Sequence, residues 1–305
     1  MSRFVRYEEF GGPEVLKLIE VQPPTAGPGQ VRVHVRVAGL NPVDWKIFTG
    51  PAAPAYGSAL PMGIGNDFSG VIDQVGDGVT DWKLGDEVFG GARNLAGADY
   101  IVHDADASLV RKPAGLDFDV AGSLDVAGKT AAASVDSLSL TDADTVLVSA
   151  AAGGVGVLAS QLALRTGATV IGTASESNHD FLRSLGVIPV TYGDGLVDRV
   201  RAVAPQGITA VLDNQGGPTI AAGVELGVQQ ARINTIAYHG SEFADVRHVG
   251  GAEAKADDLA RVAQLLADGE IVLPIDSAYP LERVAEAYER LMTGHLRGKI
   301  VLTLD

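Results

Sequence analysis

A glycine-rich stretch at residues 149–156, which reads SAAAGGVG, has the residue types and spacing of a phosphate-binding turn between a strand and a helix. A side chain at Gly153 would hold the backbone away from a pyrophosphate, and Gly156 lets the helix pack closely on the strand. The helix N-terminus adds N–H donors and a partial positive charge. The pattern predicts dinucleotide contacts at Ala151, Gly153, Gly154, Val155 and Gly156. The alternative is a tight structural turn without a ligand.

The residues after the next predicted strand indicate which nicotinamide cofactor is preferred. An NAD-type site has an acidic residue about 20 positions beyond the glycines, where it binds a ribose 2′-hydroxyl. Thr173 and Ser175 occupy that region here, and their hydroxyls suit phosphate oxygens. Glu176 would repel a 2′-phosphate if its carboxylate pointed inward, whereas a solvated carboxylate would not. With His179 and Arg183 on the following helix, the sequence favours NADP(H).

These residues need a scaffold of alternating strands and helices, and the second half of the chain has that pattern. Short apolar runs at 145–149, 170–173, 188–191, 208–212 and 232–237 alternate with segments of helical spacing. Repeated β–α units predict a parallel, doubly wound sheet. Before residue 119 the chain instead alternates short β-rich runs with turns, and residues 31–37 have valine at every second position. This first part is predicted to form a small, mainly β domain.

The composition restricts both the chemistry and the partners. The 305 residues, a length that favours two domains, contain no cysteine, which excludes disulfides, a thiol nucleophile and thiolate zinc sites. Twenty-three basic and 38 acidic residues give a net charge of −15, which repels nucleic acid and anionic lipid. The first residues lack the apolar core of a secretory signal. We therefore expect a cytoplasmic protein with no nucleic-acid or membrane partner.

Six blocks along the chain resemble the zinc-free quinone oxidoreductases of the medium-chain dehydrogenase/reductase superfamily, the group that includes the lens ζ-crystallins. The blocks are 10–16 (FGGPEVL), 39–44 (GLNPVD), 67–72 (DFSGVI), 83–89 (KLGDEVF), 150–156 (AAAGGVG) and 298–302 (GKIVL). The resemblance implies an α/β fold in which a doubly wound Rossmann domain is inserted into a GroES-like, mainly β catalytic domain. The implied catalytic domain comprises residues 1–119 and 255–305, and residues 120–254 form the NADP(H)-binding domain.

The residues at the metal position of related enzymes predict that this chain has no metal site. The segment that resembles the Gly-His-Glu of zinc-dependent members reads Gly65-Asn66-Asp67 here. No pair among the six histidines has the spacing of metal ligands.

The resemblance also implies which side chains meet the substrate and the nicotinamide. Asn41 corresponds to a residue near the nicotinamide, where its amide could bond cofactor or substrate; the alternative is an Asn-Pro turn former. Tyr56 lies in a loop that lines the substrate cleft in relatives, and it either donates to a carbonyl oxygen or covers the core. Thr130 matches a nicotinamide-contacting threonine. Lys129 departs from the expected apolar residue, and it either pairs with Asp125 or reaches the cofactor or substrate.

Further cofactor contacts are implied near the end of a later strand and near the C-terminus. Relatives offer backbone contacts to the carboxamide at the positions of Asn234, Thr235 and Ile236. Residues similar to Arg297 and Lys299 meet the cofactor ribose or phosphate in the family. Surface or terminal-strand roles are the alternative for these two residues.

Together these residues imply a reductase that works without a Lewis acid. The reduced nicotinamide gives a hydride to an electrophilic carbon, and the charge arriving on the substrate oxygen needs a donor or a proton. Quinones and α,β-unsaturated carbonyls suit this arrangement because conjugation already disperses the charge. An enoyl-thioester or alkenal reductase and a low-turnover NADPH-binding sensor or structural protein are the alternatives. As in relatives, we expect a homodimer through edge strands of the cofactor domain.

Overall fold

Three β-sheets and the helices packed on them form the described part of the chain, which in this computed structural model is residues 1–56, 59–106 and 109–304. In chain order the strands are β1 (Ser2–Tyr7), β2 (Lys17–Val21), β3 (Gln30–Gly39), β4 (Met62–Gly63), β5 (Asp67–Val75), β6 (Glu87–Gly91), β7 (Tyr100–Asp104), β8 (Leu109–Arg111), β9 (Thr145–Val148), β10 (Thr169–Thr173), β11 (Ile188–Val190), β12 (Ala210–Asp213), β13 (Ile233–Thr235), β14 (Arg247–His248), β15 (Ile275–Pro280) and β16 (Lys299–Thr303). The α-helices are α1 (Pro42–Phe48), α2 (Ala53–Tyr56), α3 (Phe118–Ala121), α4 (Asp125–Leu138), α5 (Gly154–Arg165), α6 (His179–Ser184), α7 (Leu196–Val203), α8 (Gly217–Glu225), α9 (Asp258–Ala267) and α10 (Val284–Met292). Within the described ranges every helix lacks the length or the hydropathy of a transmembrane segment.

A seven-stranded sheet, antiparallel except for one pair, joins the last two strands of the chain to five strands from residues 30–111. Its order is β15-β16-β3-β5-β6-β8, and β7 also pairs with β3. Val31, Val33 and Val35 of β3 are fully buried, as the alternation of valine predicts for a strand with one core-facing side. The last strand, β16, pairs antiparallel with β3, so that Val301 lies opposite Gly39. The last strand of the chain is therefore held beside β3, whereas β1 and β2 belong to the three-stranded sheet.

The six-stranded sheet is parallel, with the strand order β11-β10-β9-β12-β13-β14. Counted from its first strand, this is the order 3-2-1-4-5-6 of doubly wound dinucleotide-binding folds. In such sheets the ligand binds beyond the carboxyl ends of the strands, where the order reverses. That point lies between β9 and β12, and the glycine turn follows β9 directly. The edge strand β14 has two exposed residues, and a homodimer through this edge stays a prediction.

Helices α4, α5 and α9 pack together beside the parallel sheet. Leu259, Val262 and Ala263 of α9 are buried in the same apolar cluster as Val146 and Val148 of β9. The chain thus remains against the parallel sheet beyond residue 254 and joins the seven-stranded sheet at β15. The exact domain boundaries stay a prediction.

Packing requires glycine at position 156 of the turn. A Cβ built on Gly156 would lie 2.1 Å from the backbone oxygen of Ala150, closer than non-bonded atoms approach. Gly156→Ala should therefore lower the free energy of unfolding by about 1–3 kcal/mol, the usual cost of overpacking, measured by urea unfolding. Gly153→Ala is the matched control, because its Cβ would meet a single atom of the described residues within 4 Å, Ala150 O at 3.3 Å. An equal loss of stability in both variants would contradict the packing argument.

Candidate active site

The turn after β9 is braced by the neighbouring strand β10. Ala150 has a φ of 49°, a left-handed conformation that costs a non-glycine residue free energy. Ala151 N donates to Thr173 O (2.9 Å), and Ala150 N donates to Thr173 Oγ1 (3.2 Å). The Thr173 hydroxyl, which the sequence analysis assigned to a phosphate, therefore accepts a hydrogen bond from the turn itself. Ala151, at the position of the first glycine in the G-x-G-x-x-G pattern of dinucleotide-binding turns, is fully buried.

The outer side of the turn is open at Gly153. Its φ of −78° and ψ of 173° are an extended conformation that any residue adopts. A Cβ there would meet a single described atom within 4 Å. Neither the backbone conformation of residue 153 nor the packing of the described residues around it requires glycine. We therefore attribute the lack of a side chain at this position to a ligand that must approach the backbone of the turn. The first turn of α5 has N–H groups without intrahelical partners, so the site fits a pyrophosphate.

The C-terminal strand passes directly across this turn. Gly298 N donates to Ala152 O (2.8 Å), and Gly298 forms a parallel bridge with Gly153. The side chain of the next residue, Lys299, runs along Gly154, where a Cβ would lie 2.7 Å from Lys299 Cδ. The glycine turn and the last strand of the chain are thus in contact.

The ammonium of Lys299 lies in the interior between Asn41 and Asp67. Lys299 Nζ is 2.5 Å from Asn41 Oδ1 and 3.3 Å from Asp67 Oδ2, and the three residues are 5%, 3% and 0% exposed. Val126 N donates to the other oxygen of Asp67 at 3.0 Å. Asn41 Nδ2 is buried and has no hydrogen-bond partner among the described residues. The methylene chain of Lys299 thus borders the turn, while its ammonium contacts Asn41, just before α1, and Asp67, at the start of β5.

A second buried carboxylate, that of Asp44, connects the residues around Asn41. Asp44 Oδ2 accepts from Asn41 N (2.8 Å) and Tyr288 OH (3.2 Å). Asp44 Oδ1 accepts from Asn66 Nδ2 (2.7 Å). Burial raises the pKa of Asp44 to about 7, and the nearby charge of Asp67 adds to the rise. Asp44 was not predicted from the sequence, although its place three residues after Asn41 is the spacing of a helix N-terminal capping box.

Helix α4 brings Lys129 and Thr130 to the same region. Lys129 Nζ donates to Asp125 Oδ1 at 2.5 Å, so the structure shows the first of the two alternatives for this lysine. Burial and the charge of Asp67 raise the pKa of Asp125, while Lys129 opposes the rise. Thr130 is buried, and its Oγ1 would lie 3.6 Å from a Cβ built on Gly251.

Tyr56, the predicted donor to a substrate carbonyl, is the last residue of α2. Its side chain lies outside the described residues.

Beyond the end of β10, Arg297 joins the residues predicted to meet a 2′-phosphate. Arg297 Nε donates to Asn178 Oδ1 (2.9 Å), and its guanidinium lies 4.9 Å from the centroid of the Phe181 ring. Asn178 Nδ2 donates in turn to Ser175 Oγ (3.3 Å). Arg297 is exposed, so this corner offers a cation and a hydroxyl to an approaching anion.

The three other residues considered for contacts near a 2′-phosphate, Arg183, His179 and Glu176, differ in exposure and in hydrogen bonding. Arg183 is exposed and donates to Asp180 Oδ1 (2.7 Å) on the same helix. His179 Nε2 is buried without a hydrogen-bond partner in the described ranges. Glu176 is exposed, which leaves its carboxylate solvated.

Asp213, which the sequence analysis missed, holds the ends of three neighbouring strands together. Its fully buried carboxylate accepts from Ser149 Oγ (3.0 Å), Gly216 N (2.9 Å) and Thr235 Oγ1 (2.6 Å). These bonds join the turns after β9, β12 and β13. The one sequence signal is an acidic residue directly after a buried apolar run, which is too common to identify such a role.

At the end of β13, two predicted contact residues use their side chains within the protein. Asn234 Nδ2 donates to Ser134 O (2.7 Å) on α4, and Thr235 is bound to Asp213 as described. Ile236 N donates to Asp213 O (3.0 Å). Next to them Asn214, which the sequence analysis also missed, has a buried Oδ1 without a partner among the described residues.

The raised pKa of Asp44 gives stability a pH dependence that one substitution isolates. Its pKa is about 7 in the folded protein against an ordinary value of 3.8, so between these values the folded state holds the extra proton. Raising the pH through this window therefore removes stability from the wild type but not from Asp44→Asn. Relative to the variant, the wild-type free energy of unfolding should fall by up to about 1.4 kcal/mol per pH unit, measured by urea unfolding across pH. A difference that does not change with pH would contradict this assignment.

Comparison with known proteins agrees with this architecture. Residues 27–123 match the model of the alcohol dehydrogenase GroES-like domain, and residues 185–302 match that of zinc-binding dehydrogenases. A quinone oxidoreductase from Pseudomonas aeruginosa is 30% identical over an alignment of 333 positions, which covers 99% of each chain. The solved quinone oxidoreductase from Coxiella burnetii has a TM-score of 0.89 at 31% identity, covering 100% of this chain and 99% of that one. A mycobacterial protein solved in complex with NADPH has a TM-score of 0.86 at 25% identity, covering 100% of each chain.

These matches confirm the resemblance inferred from the six sequence blocks. They also confirm the predicted fold class, a GroES-like domain combined with a parallel Rossmann sheet. The chain belongs to the quinone oxidoreductase branch of the medium-chain dehydrogenase/reductase superfamily.

Proposed function

We propose that this protein is an NADPH-dependent, zinc-independent reductase that transfers a hydride to a quinone or another α,β-unsaturated carbonyl. The observation that carries the proposal is that Lys299 borders the glycine turn at Gly154, beside its open position at Gly153, and bonds to Oδ1 of Asn41, whose Nδ2 is buried without a partner among the described residues. The turn suits a pyrophosphate, and the amide suits an oxygen that gains charge. The names of the quinone oxidoreductase relatives and the NADPH held by the mycobacterial neighbour support it.

The described residues offer contacts for three polar parts of NADPH, its pyrophosphate, its 2′-phosphate and a ribose hydroxyl. The turn at Gly153 and the N-terminus of α5 would hold the pyrophosphate. Arg297 and Ser175 would hold the 2′-phosphate, because a guanidinium and a hydroxyl both donate to phosphate oxygens. The unpaired Asn214 Oδ1 would accept a hydrogen bond from a ribose hydroxyl. When bound, the reduced nicotinamide supplies the hydride.

The residues around Asn41 suit a substrate that is activated by conjugation. As the electrophilic carbon is reduced, negative charge develops on the substrate oxygen, and a donor must meet it. Asn41 Nδ2 is such a donor, and the ammonium of Lys299 behind the amide adds positive charge. Quinones and enones spread the developing charge over several atoms, so they require less stabilisation than an isolated ketone.

The donor set at this position argues against a zinc site. Among the described residues, no three His, Cys, Asp or Glu side chains form a group that could hold a metal ion. Asn66, at the position that resembles a metal-ligating histidine, donates its amide to Asp44, and Asp67 has the ammonium of Lys299 as its neighbour. Zinc sites use thiolates, imidazoles and free carboxylates instead.

Oxidation of NADPH with a panel of quinones and enones tests the proposal. Gly153→Val should weaken NADPH binding by roughly 100-fold or more, about 2.8 kcal/mol, because its side chain fills the open side of the turn. A fluorescence titration measures binding, and thermal unfolding checks that the variant folds. Tight NADPH binding without oxidation across the panel would overturn the reductase proposal. Oxidation confined to enoyl thioesters would replace the substrate class, and unchanged affinity in Gly153→Val would place the cofactor elsewhere.

The choice between cofactors is tested at Arg297. Arg297→Ala should weaken NADPH binding by about 10- to 100-fold, the value of a charge-assisted hydrogen bond, and should leave NADH binding near the wild-type level. Arg201→Ala is the matched control, because Arg201 is also an exposed arginine beside the parallel sheet but pairs with Asp198 on α7 and is not among the predicted cofactor contacts. Titration of each variant with both cofactors measures the difference. An equal loss of NADH affinity in Arg297→Ala would show that the residue does not read the phosphate.

A further inference from the structure

The side-chain amide of Asn41 has one satisfied end and one unsatisfied end. Its Oδ1 accepts from Lys299 Nζ at 2.5 Å, whereas Nδ2 is buried without a hydrogen-bond partner in the described part of the chain. A buried N–H group without a partner costs free energy unless a bound group meets it. Because Asn41 is 3% exposed, bulk water does not satisfy this donor, and a group bound directly against the amide would do so.

Lys299 determines which end of the amide is left unsatisfied. An ammonium has three donors and no acceptor, so it can bond only to the oxygen of the Asn41 amide. If the amide rotated by half a turn, its NH₂ group would face the ammonium, and two donors would meet without an acceptor between them. The atom of Asn41 that is left without a partner is therefore a nitrogen, so the protein offers a donor at this point.

Lys299 is itself held at both ends of its side chain. Its ammonium lies 3.3 Å from Asp67 Oδ2, and the other oxygen of Asp67 accepts from Val126 N at 3.0 Å. Its methylene chain packs along Gly154, where a Cβ would be 2.7 Å from Lys299 Cδ. A lysine constrained in this way cannot follow a rotating amide, so it keeps one orientation of Asn41.

We propose that Lys299 is a positioning residue that fixes the Asn41 amide so that Nδ2 donates to an acceptor oxygen of the substrate, a carbonyl or quinone oxygen. This inference rests on the proposed function and adds which atom of Asn41 serves and what orients it. The ammonium also polarises the amide, which strengthens the N–H donor as negative charge develops on the substrate oxygen. A ligand that presents only a donor at this point is rejected, because two donors then face each other.

A double-mutant cycle with Lys299→Met and Asn41→Ala tests the link in turnover. Methionine keeps an unbranched chain along Gly154 and removes the charge. Each single variant should lower kcat with a quinone by roughly 100-fold, the usual loss of one donor at a developing charge, while NADPH Kd and quinone KM change far less. The double variant should be no slower than Asn41→Ala, because the lysine acts through the amide. Effects that multiply, or a normal kcat in Lys299→Met, overturn the proposal.

Lys112→Met is the matched control for the loss of a buried ammonium. The Lys112 side chain is 7% exposed and pairs with Glu87 Oε2 at 2.9 Å, between β6 and the residue after β8. This variant should lose stability but keep its kcat, and a fall in kcat equal to that of Lys299→Met would contradict the proposal. If Lys299→Met does not fold because Asp67 is left as an unpaired buried charge, the double substitution Lys299→Met/Asp67→Asn, which removes both charges together, takes its place in the cycle.

Binding of a saturated ketone separates a failure of this inference from a failure of the proposed function. Cyclohexanone presents an acceptor oxygen, and protein loaded with NADP⁺ cannot reduce it. Its Kd, measured by calorimetry, should weaken by roughly tenfold in Lys299→Met and in Asn41→Asp, which keeps an acceptor for Lys299 but lacks the donor. Lys299-dependent ketone binding without NADPH oxidation would refute the reductase proposal alone. Ketone binding that is unchanged in both variants, or absent in the wild type, would overturn the positioning role.

Discussion

An ammonium can remain inside a protein only where carboxylates and acceptors surround it, because its removal from water costs several kcal/mol. Lys299 meets this requirement through Asp67 at the start of β5 and Asn41 just before α1. To reach them, the last strand passes across the glycine turn, where Gly298 N donates to Ala152 O. The burial of one charge therefore sets the positions of the chain's end, the turn and the Asn41 amide relative to one another.

The acidic groups near this ammonium are balanced so that the interior stays close to neutral. Lys299 pairs with Asp67, and Lys129 pairs with Asp125. Asp44 forms no ion pair with a described residue, and burial raises its pKa to about 7, so a large fraction of it is protonated near neutral pH. In this cluster of described residues, Asn41 Nδ2 is a buried donor without a partner. A site with a spare donor and a nearby cation suits an oxygen that gains negative charge during reduction.

Much of the fold could be predicted because its signals are local. The alternation of valine in β3 and the strand–turn–helix around Gly153 depend on residues a few positions apart, and the structure has both. No strand was predicted at β14, whose two residues are too few to show any period. The domain boundary at residue 254 stays a prediction, and beyond it α9 packs with the core of the parallel sheet. Periodicity identifies a helix with one apolar face but not the sheet against which that face packs.

The sequence by itself determined the family, the doubly wound sheet, the glycine turn and the set of residue types available for chemistry. The tertiary structure decided which of those residues work together. Lys299 bonds to Asn41 from 258 positions away. Arg297 rather than Arg183 bonds to Asn178, which donates in turn to Ser175, and the Thr173 hydroxyl binds the turn. Backbone patterns depend on neighbours along the chain, whereas the partner of a charged side chain depends on how distant strands and loops pack, and only the folded chain brings those groups within bonding distance.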